Sequence, residues 1–233
     1  MELDGKVAVV TGGGSGLGWF LAEALRNAGA HVVVADLRPA EGVIAADIAT
    51  EAGRTAVLAE AQAAGGVDVL VNNAGGWSVG GAQFPEAEPA AWRAAIELNL
   101  LAPMALTQLA LPELRRGDGA VVNIASSAGT QTTAYGAPEY GAAKAGLIRF
   151  TTAVADWSDR YGVRVNCVVP GWIGLERAHA ELAAMSSAER ATTPTLVAPE
   201  MITAQVLRLV RDESLAGRVV SMLSGDQEPV LLP

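Results

Sequence analysis

A single cysteine, Cys167, stands in a chain of 233 residues. It cannot close an internal disulfide, so a reducing cytoplasm is the expected home. Charge is scarce as well: 18% of residues are charged and 51% are hydrophobic. That balance excludes intrinsic disorder, which needs few apolar residues and high net charge. The charge present is acidic, with a net of −9 and an isoelectric point near 4.7, so no nucleic-acid partner is expected. Mean hydropathy is positive at +0.30, yet no stretch of about 18 residues lacks polar side chains, and no membrane span is expected. Glu2 and Asp4 precede the first base, Lys6, the wrong order for a secretory leader. Glycines and prolines show no triplet period, which excludes a collagen-like repeat. No set of residues suggests a metal site, and none is expected.

What is present is an alternation of strand-like and helix-like segments. Lys6–Val10 is a β-branched run, followed by Thr11 and a glycine-rich turn through Gly18. Leu17, Phe20, Leu21, Ala24 and Leu25 then recur at helical spacing, and His31–Ala35 is a second apolar run ending at Asp36. Strand, glycine turn, helix, strand is the βαβ unit of a parallel sheet. Further strands are expected at Val43–Ile48, Val67–Val71, Ala120–Ala125, Val163–Val169 and Arg218–Leu223. Helices are expected at Thr50–Ala64, Ala90–Arg116 with breaks near Pro103 and Pro112, Pro138–Tyr161, Leu175–Met185 and Met201–Arg211. Only residues 37–42 separate strands two and three, too few for a parallel crossover with its usual helix. No linker splits the chain, so the expectation is one α/β domain over residues 1–233, doubly wound around a mostly parallel sheet with helices on both faces. Residues 172–199 form a 28-residue connection after strand six. Connections that long are usually functional or disordered, and this one is expected to be a substrate lid.

The glycine turn Thr11-Gly12-x-x-x-Gly16-x-Gly18 joins a strand to a helix, the place where backbone N–H groups receive a pyrophosphate. No Lys-Ser/Thr pair follows the last glycine, so it is not a Walker A loop. Thr11, Gly12, Ser15, Gly16, Leu17 and Gly18 are the candidate cradle. Asp36, at the end of strand two, can accept the adenosine ribose hydroxyls and repels a 2′-phosphate, which favours NAD. Arg38 is the nearby cation that leaves NADP open.

Lysine and tyrosine are rare, and Tyr140 and Lys144 fall at i and i+4 on one expected helix face. Such a pair arises by chance with a probability of about 3%. A free tyrosine titrates near ~10, too high for a base at neutral pH. A neighbouring ammonium favours the phenolate, and lowering that pKa by ~2 requires about 3 kcal/mol. Tyr135 has no lysine four residues on.

Taken in order, Thr11-Gly12-x-x-x-Gly16-x-Gly18, Asn72-Asn73-Ala74-Gly75, Ser127 thirteen residues before Tyr140-x-x-x-Lys144, and Pro170-Gly171 resemble the short-chain dehydrogenase/reductase family over about residues 3–175. The resemblance implies a Rossmann-type fold and hydride transfer between a nicotinamide cofactor and a secondary alcohol or ketone. It implies Tyr140 as acid/base, with Lys144 holding the nicotinamide ribose and depressing the Tyr140 pKa. Ser127 would hydrogen-bond the substrate oxygen; Ser126 is adjacent, and only the family's thirteen-residue spacing prefers Ser127. Asn99 matches the helix asparagine that positions a water linking Lys144 to solvent. Asp47 and Ile48 are placed beside the adenine, Asn73, Ala74 and Gly75 along the adenosine, and Pro170, Gly171 and Ile173 at the nicotinamide. Pairing into a homodimer or homotetramer through the two long helices is also implied. Gly174 and Leu175 replace the threonine usual near there, and Ser224-Gly225-Asp226-Gln227 replaces a glycine pair after the last strand. Candidate substrate contacts are Trp77, Thr130, Tyr135, Trp172, Arg177, His179 and Met185. An acyl-carrier-type 3-oxoacyl reductase, or a non-catalytic nucleotide-binding scaffold or redox sensor, stands as the alternative.

Overall fold

The computed structural model describes residues 1–76, 81–225 and 227–232. Strands β1 (Val7–Thr11), β2 (His31–Asp36), β3 (Val43–Ala45) and β4 (Val69–Asn72) are joined in one sheet by β5 (Ala120–Ile124), β6 (Arg164–Pro170), β7 (Val219–Met222) and β8 (Val230–Leu232). Their spatial order is β3-β2-β1-β4-β5-β6-β7-β8. β1 through β7 are parallel, and β8 runs antiparallel to β7. Strand order reverses between β1 and β4, the switch point over whose carboxyl ends ligands enter such sheets.

The connections carry α1 (Gly16–Asn27), α2 (Glu51–Ala63), α3 (Pro89–Ile96), α4 (Ala102–Leu114) and α5 (Pro138–Ala153). Then follow α6 (Trp157–Tyr161), α7 (Glu176–Ala184), α8 (Ser187–Thr192) and α9 (Pro199–Arg211). In β1, Ala8 and Val10 share one apolar layer with Leu17, Leu21, Leu25 and Val206, whereas Val7 and Val9 share the opposite layer with Val57, Ala61, Leu106 and Leu114. Period-two alternation with helices on both faces is why these strands read as unbroken hydrophobic runs.

The link between β2 and β3 carries no helix, and an isolated bridge between Ala40 and Val43 turns the chain there. β3 stops at Ala45 rather than Ile48, because Asp36, the last residue of β2, pairs with Ala45. Thr50 does not enter α2 but caps it, its side chain accepting from Gly53 N at 3.0 Å.

The long run expected over 90–116 is interrupted at neither proline. It breaks at a π-helical turn, Glu97–Leu101, between α3 and α4. Pro103 sits in the first turn of α4, where a missing N–H is tolerated, and Pro112 lies two residues short of its end. Pro89–Leu114 is the helical stretch among the described residues long and apolar enough to cross a membrane, with a hydropathy of 1.4 over its most apolar window, a third of which is buried. In this fold α4 packs against β4 and β5. The run expected over 138–161 also divides: α5 ends at Ala153, and α6 closes on Gly162 in the left-handed region (φ +68°). α8, with a Ser186/Glu189 capping box, and β8 were not expected.

Candidate active site

Two adjoining clefts open over the carboxyl ends of the strands, and Leu17, Asn73 and Gly75 border both. The first, about 660 Å³, is lined by Gly12, Ser15 and Gly18 of the glycine turn, by Asp36 and Arg38, by Asp47 and Ile48, and by Ala74. A Cβ at Gly18 would lie 2.0 Å from Gly12 O, and one at Gly12, whose φ is +63°, would lie 2.8 Å from Ala74 Cα. The turn can approach both its own helix and the β4 loop only because these side chains are absent.

The walls are braced from behind. Thr11 Oγ1 accepts from Asn73 N and Ala74 N, each at 3.1 Å, and Asn73 Nδ2 donates to Thr11 O at 2.9 Å and Gly12 O at 3.1 Å. These two side chains tie the β1 loop to the β4 loop, and Asn73 also borders both clefts. Gly16, at φ +54°, turns the chain into α1. Ser15 is the α1 N-cap residue and makes no side-chain cap bond to the helix; its Oγ instead accepts from Arg38 Nη2 at 3.0 Å. The Asp36 carboxylate accepts from Gly14 N and from Arg38 N, both at 3.1 Å. A glycine-walled cleft at a helix N-terminus, closed by a strand-end carboxylate, fits the pyrophosphate and ribose of a dinucleotide.

The second cleft, about 690 Å³, gathers Ser126, Ser127, Tyr140 and Lys144 with Pro170, Gly171 and Ile173. α5 presents Tyr140 and Lys144 one turn apart, as their spacing predicts, with 7% and 3% exposure. Lys144 Nζ donates to Ile124 O at 2.8 Å and lies 5.7 Å from the centre of the Tyr140 ring. Burial draws the Lys144 pKa down to about 8, against a smaller opposing effect of Cys167. Burial also pushes Tyr140 up to about 12, partly offset by its hydrogen bond to Ser126. The expected depression of the Tyr140 pKa by Lys144 is not found in the protein alone, where desolvation favours the neutral form of both groups.

The serine joined to Tyr140 is Ser126, whereas the spacing argument selects Ser127. Ser126 is extended (φ −166°, ψ 152°) and caps the 3₁₀ turn Ser127–Gly129, accepting from Ala128 N at 3.2 Å. Ser127 is already inside that turn. A serine immediately before a short turn is a capping signal, and it was the available clue.

Asn99 borders neither cleft. It is fully buried in the π turn, where its Oδ1 accepts from Gly76 N at 2.9 Å and its Nδ2 donates to Gly76 O at 2.7 Å and Ala95 O at 2.9 Å. It fixes the loop after β4 directly behind Gly75. A Cβ on Gly75 would lie 2.6 Å from Asn99 Oδ1 and 3.1 Å from Lys144 Nζ. Among the candidate substrate contacts, Tyr135, Trp172, Arg177 and Met185 line the second cleft, and Thr130 and His179 are not part of its wall. Trp77 lies outside the described residues. Tyr135, which the missing lysine had set aside, stacks on Tyr140 with ring centres 6.3 Å apart.

Residues 6–186 match the sequence profile of the short chain dehydrogenases. The chain is 39% identical to bovine L-fucose dehydrogenase over 180 residues, 72% of this chain and 66% of that protein. It is 37% identical to D-beta-hydroxybutyrate dehydrogenase of Cupriavidus necator over 188 residues, 73% of this chain and 72% of the relative. A Burkholderia xenovorans crystal structure assigned to the short-chain dehydrogenases/reductases superposes with a TM-score of 0.82 at 29% identity, covering 96% of this chain and 97% of that one. With its sheet order, glycine-walled cleft and buried tyrosine–lysine pair, the chain belongs to the short-chain dehydrogenase/reductase family of nicotinamide-dependent oxidoreductases.

Proposed function

We propose that this protein transfers a hydride between NAD(H) and a secondary alcohol or ketone, with Tyr140 as the acid/base. The observation that carries the reading is the buried Tyr140, hydrogen-bonded to Ser126, above Lys144 and beside the glycine-walled cleft. When bound, the nicotinamide gives or takes the hydride and, in its oxidised form, brings a positive charge that favours the phenolate. In reduction the Tyr140 phenol gives its proton to the substrate oxygen as a C–H bond forms at the carbonyl carbon. In oxidation the phenolate takes that proton back as the C–H bond breaks and the C=O bond forms. The serine role passes from Ser127 to Ser126, whose hydroxyl donates to the same oxygen and stabilises its developing charge. Lys144 would hold the ribose hydroxyls, and Asn99 acts by position, locking Gly76 and thereby the wall shared by the two clefts.

NAD is the preferred cofactor because the Asp36 carboxylate is held over the turn by Gly14 N and Arg38 N, where a 2′-phosphate would meet like charge. Two named relatives are dehydrogenases of hydroxyl-bearing compounds, fucose and hydroxybutyrate, which supports alcohol oxidation. Residues 172–199 serve as a lid: α7 and α8 rise between ends zipped by Gly174 N to Val197 O at 2.9 Å and Val197 N to Trp172 O at 2.8 Å. The test is a screen of secondary alcohols with each oxidised cofactor, joined to calorimetry of NADH and NADPH. Turnover with NAD and tighter NADH binding, by roughly tenfold and narrowed in Asp36→Ala, is expected. Equal or tighter NADPH binding by the native protein overturns the cofactor assignment.

A further inference from the structure

Resting on the dehydrogenase reading above, we propose that Arg177 and Tyr135 select a substrate bearing a carboxylate close to its reacting carbinol: a small hydroxy acid, or the corresponding oxo acid. Two cations line the second cleft among the described residues, Lys144 and Arg177. Lys144 is buried beneath the Tyr140 ring and donates to Ile124 O, so it belongs to the floor. Arg177 is therefore the cation presented to the substrate. It stands in a chain of net charge −9, where a guanidinium inside a cleft runs against the prevailing sign and makes a local well for an anion.

Its position couples recognition to chemistry. Burial raises the Tyr135 pKa, and Arg177 is near enough to its hydroxyl to oppose part of that rise. Tyr135 in turn stacks on Tyr140, the rings 27° from parallel. The anion-receiving group and the proton-exchanging group are thus neighbours along one wall.

Arg177 already has a carboxylate beside it: Nε lies 3.5 Å from Glu181 Oε1, and Glu181 also borders the cleft. Both side chains are about half exposed, and exposed i,i+4 pairs stabilise a helix only slightly, so little is lost when a better-placed carboxylate takes the guanidinium. A guanidinium forks onto a carboxylate through two parallel bonds, a geometry a hydroxyl cannot reproduce. Much of the remaining wall, including Leu17, Trp172, Ile173, Leu175 and Met185, is apolar. It offers a short carbon chain a dry surface.

The experiment compares lactate, 3-hydroxybutyrate and 4-hydroxyvalerate, each against its uncharged amide, with L-fucose as a neutral polyol, in the native enzyme with NAD. The proposal expects at least one acid to exceed its amide in kcat/KM by roughly tenfold, carried by KM. In Arg177→Met that acid-to-amide ratio should collapse by about the same factor, and Arg177→Lys should restore part of it. Glu181→Gln, which removes the competing carboxylate, should lower KM for the acid. Amides or L-fucose used as well as every acid, or an unchanged ratio in Arg177→Met, overturns the proposal and leaves the dehydrogenase standing. Absence of turnover with every alcohol and both cofactors overturns the dehydrogenase reading itself, and this inference with it.

Discussion

Burial acts on Tyr140 and Lys144 with the same sense, favouring the uncharged form of each, although one is an acid and the other a base. The folded chain holds a neutral phenol and an ammonium drawn down to about 8. The unfolded lysine keeps its ordinary pKa of 10.5, so between these values the unfolded state binds more protons and stability rises with pH. Cys167, raised by burial from 9.0 to about 12, offsets that rise above pH 9, because the unfolded thiol ionises first. The clean window is therefore pH 8 to 9. Across it, the Tm of the native protein should climb relative to that of Lys144→Met; a difference independent of pH contradicts a buried, titrating Lys144. The serine pair offers a second test. Ser126→Ala should lower kcat by roughly 10²-fold, the scale of one lost oxyanion donor, and Ser127→Ala should do far less. Kinetics that rank the two variants the other way return the role to Ser127.

At the scale of elements, the proposed lid joins sequence to motion. α7 and α8 hold mostly exposed residues, with Ala178 buried among them, while Val197 at the base is fully buried. Leu175 and Met185 border the cleft, as an apolar lid face requires, and Glu181 borders it too. Amide exchange over residues 176–192 should slow when NADH and a substrate analogue are both present, while Ile173 and Val197 are protected throughout. Strong protection of 176–192 without ligand would show a fixed wall. The elements legible in the sequence were those set by local geometry. Tyr140 and Lys144 meet because i and i+4 share a helix face, and Gly12 and Gly18 stand where a side chain would strike Ala74 or Gly12 O. Less legible were features that depend on distant partners. β8 forms only because β7 offers an edge, and the π turn keeps Asn99 against Gly76. Spacing could not separate Ser126 from Ser127, because adjacent serines differ only in how a three-residue turn aims them.

For the whole molecule, α3 to α5 leave apolar surface that the chain itself does not cover. Leu101 and Leu109 are 45% and 39% exposed. On α5, Ala143 is buried within the chain and Gly146 receives Leu100, so a pairing of copies through these helices would use the outer surface. Light scattering should give a dimer or tetramer at micromolar concentration, and a monomer contradicts that assembly. The proposed chemistry turns on one oxygen atom, the Tyr140 hydroxyl. The most direct measurement is the rate of NADH formation from an accepted secondary alcohol by native protein and by Tyr140→Phe, with NADH affinity measured on both by calorimetry. Tyr140→Phe should lose about 10²- to 10⁴-fold in kcat, the range for a general acid/base, and bind NADH nearly as tightly as the native protein. A Tyr140→Phe enzyme that keeps most of its activity would show that the proton passes through another group.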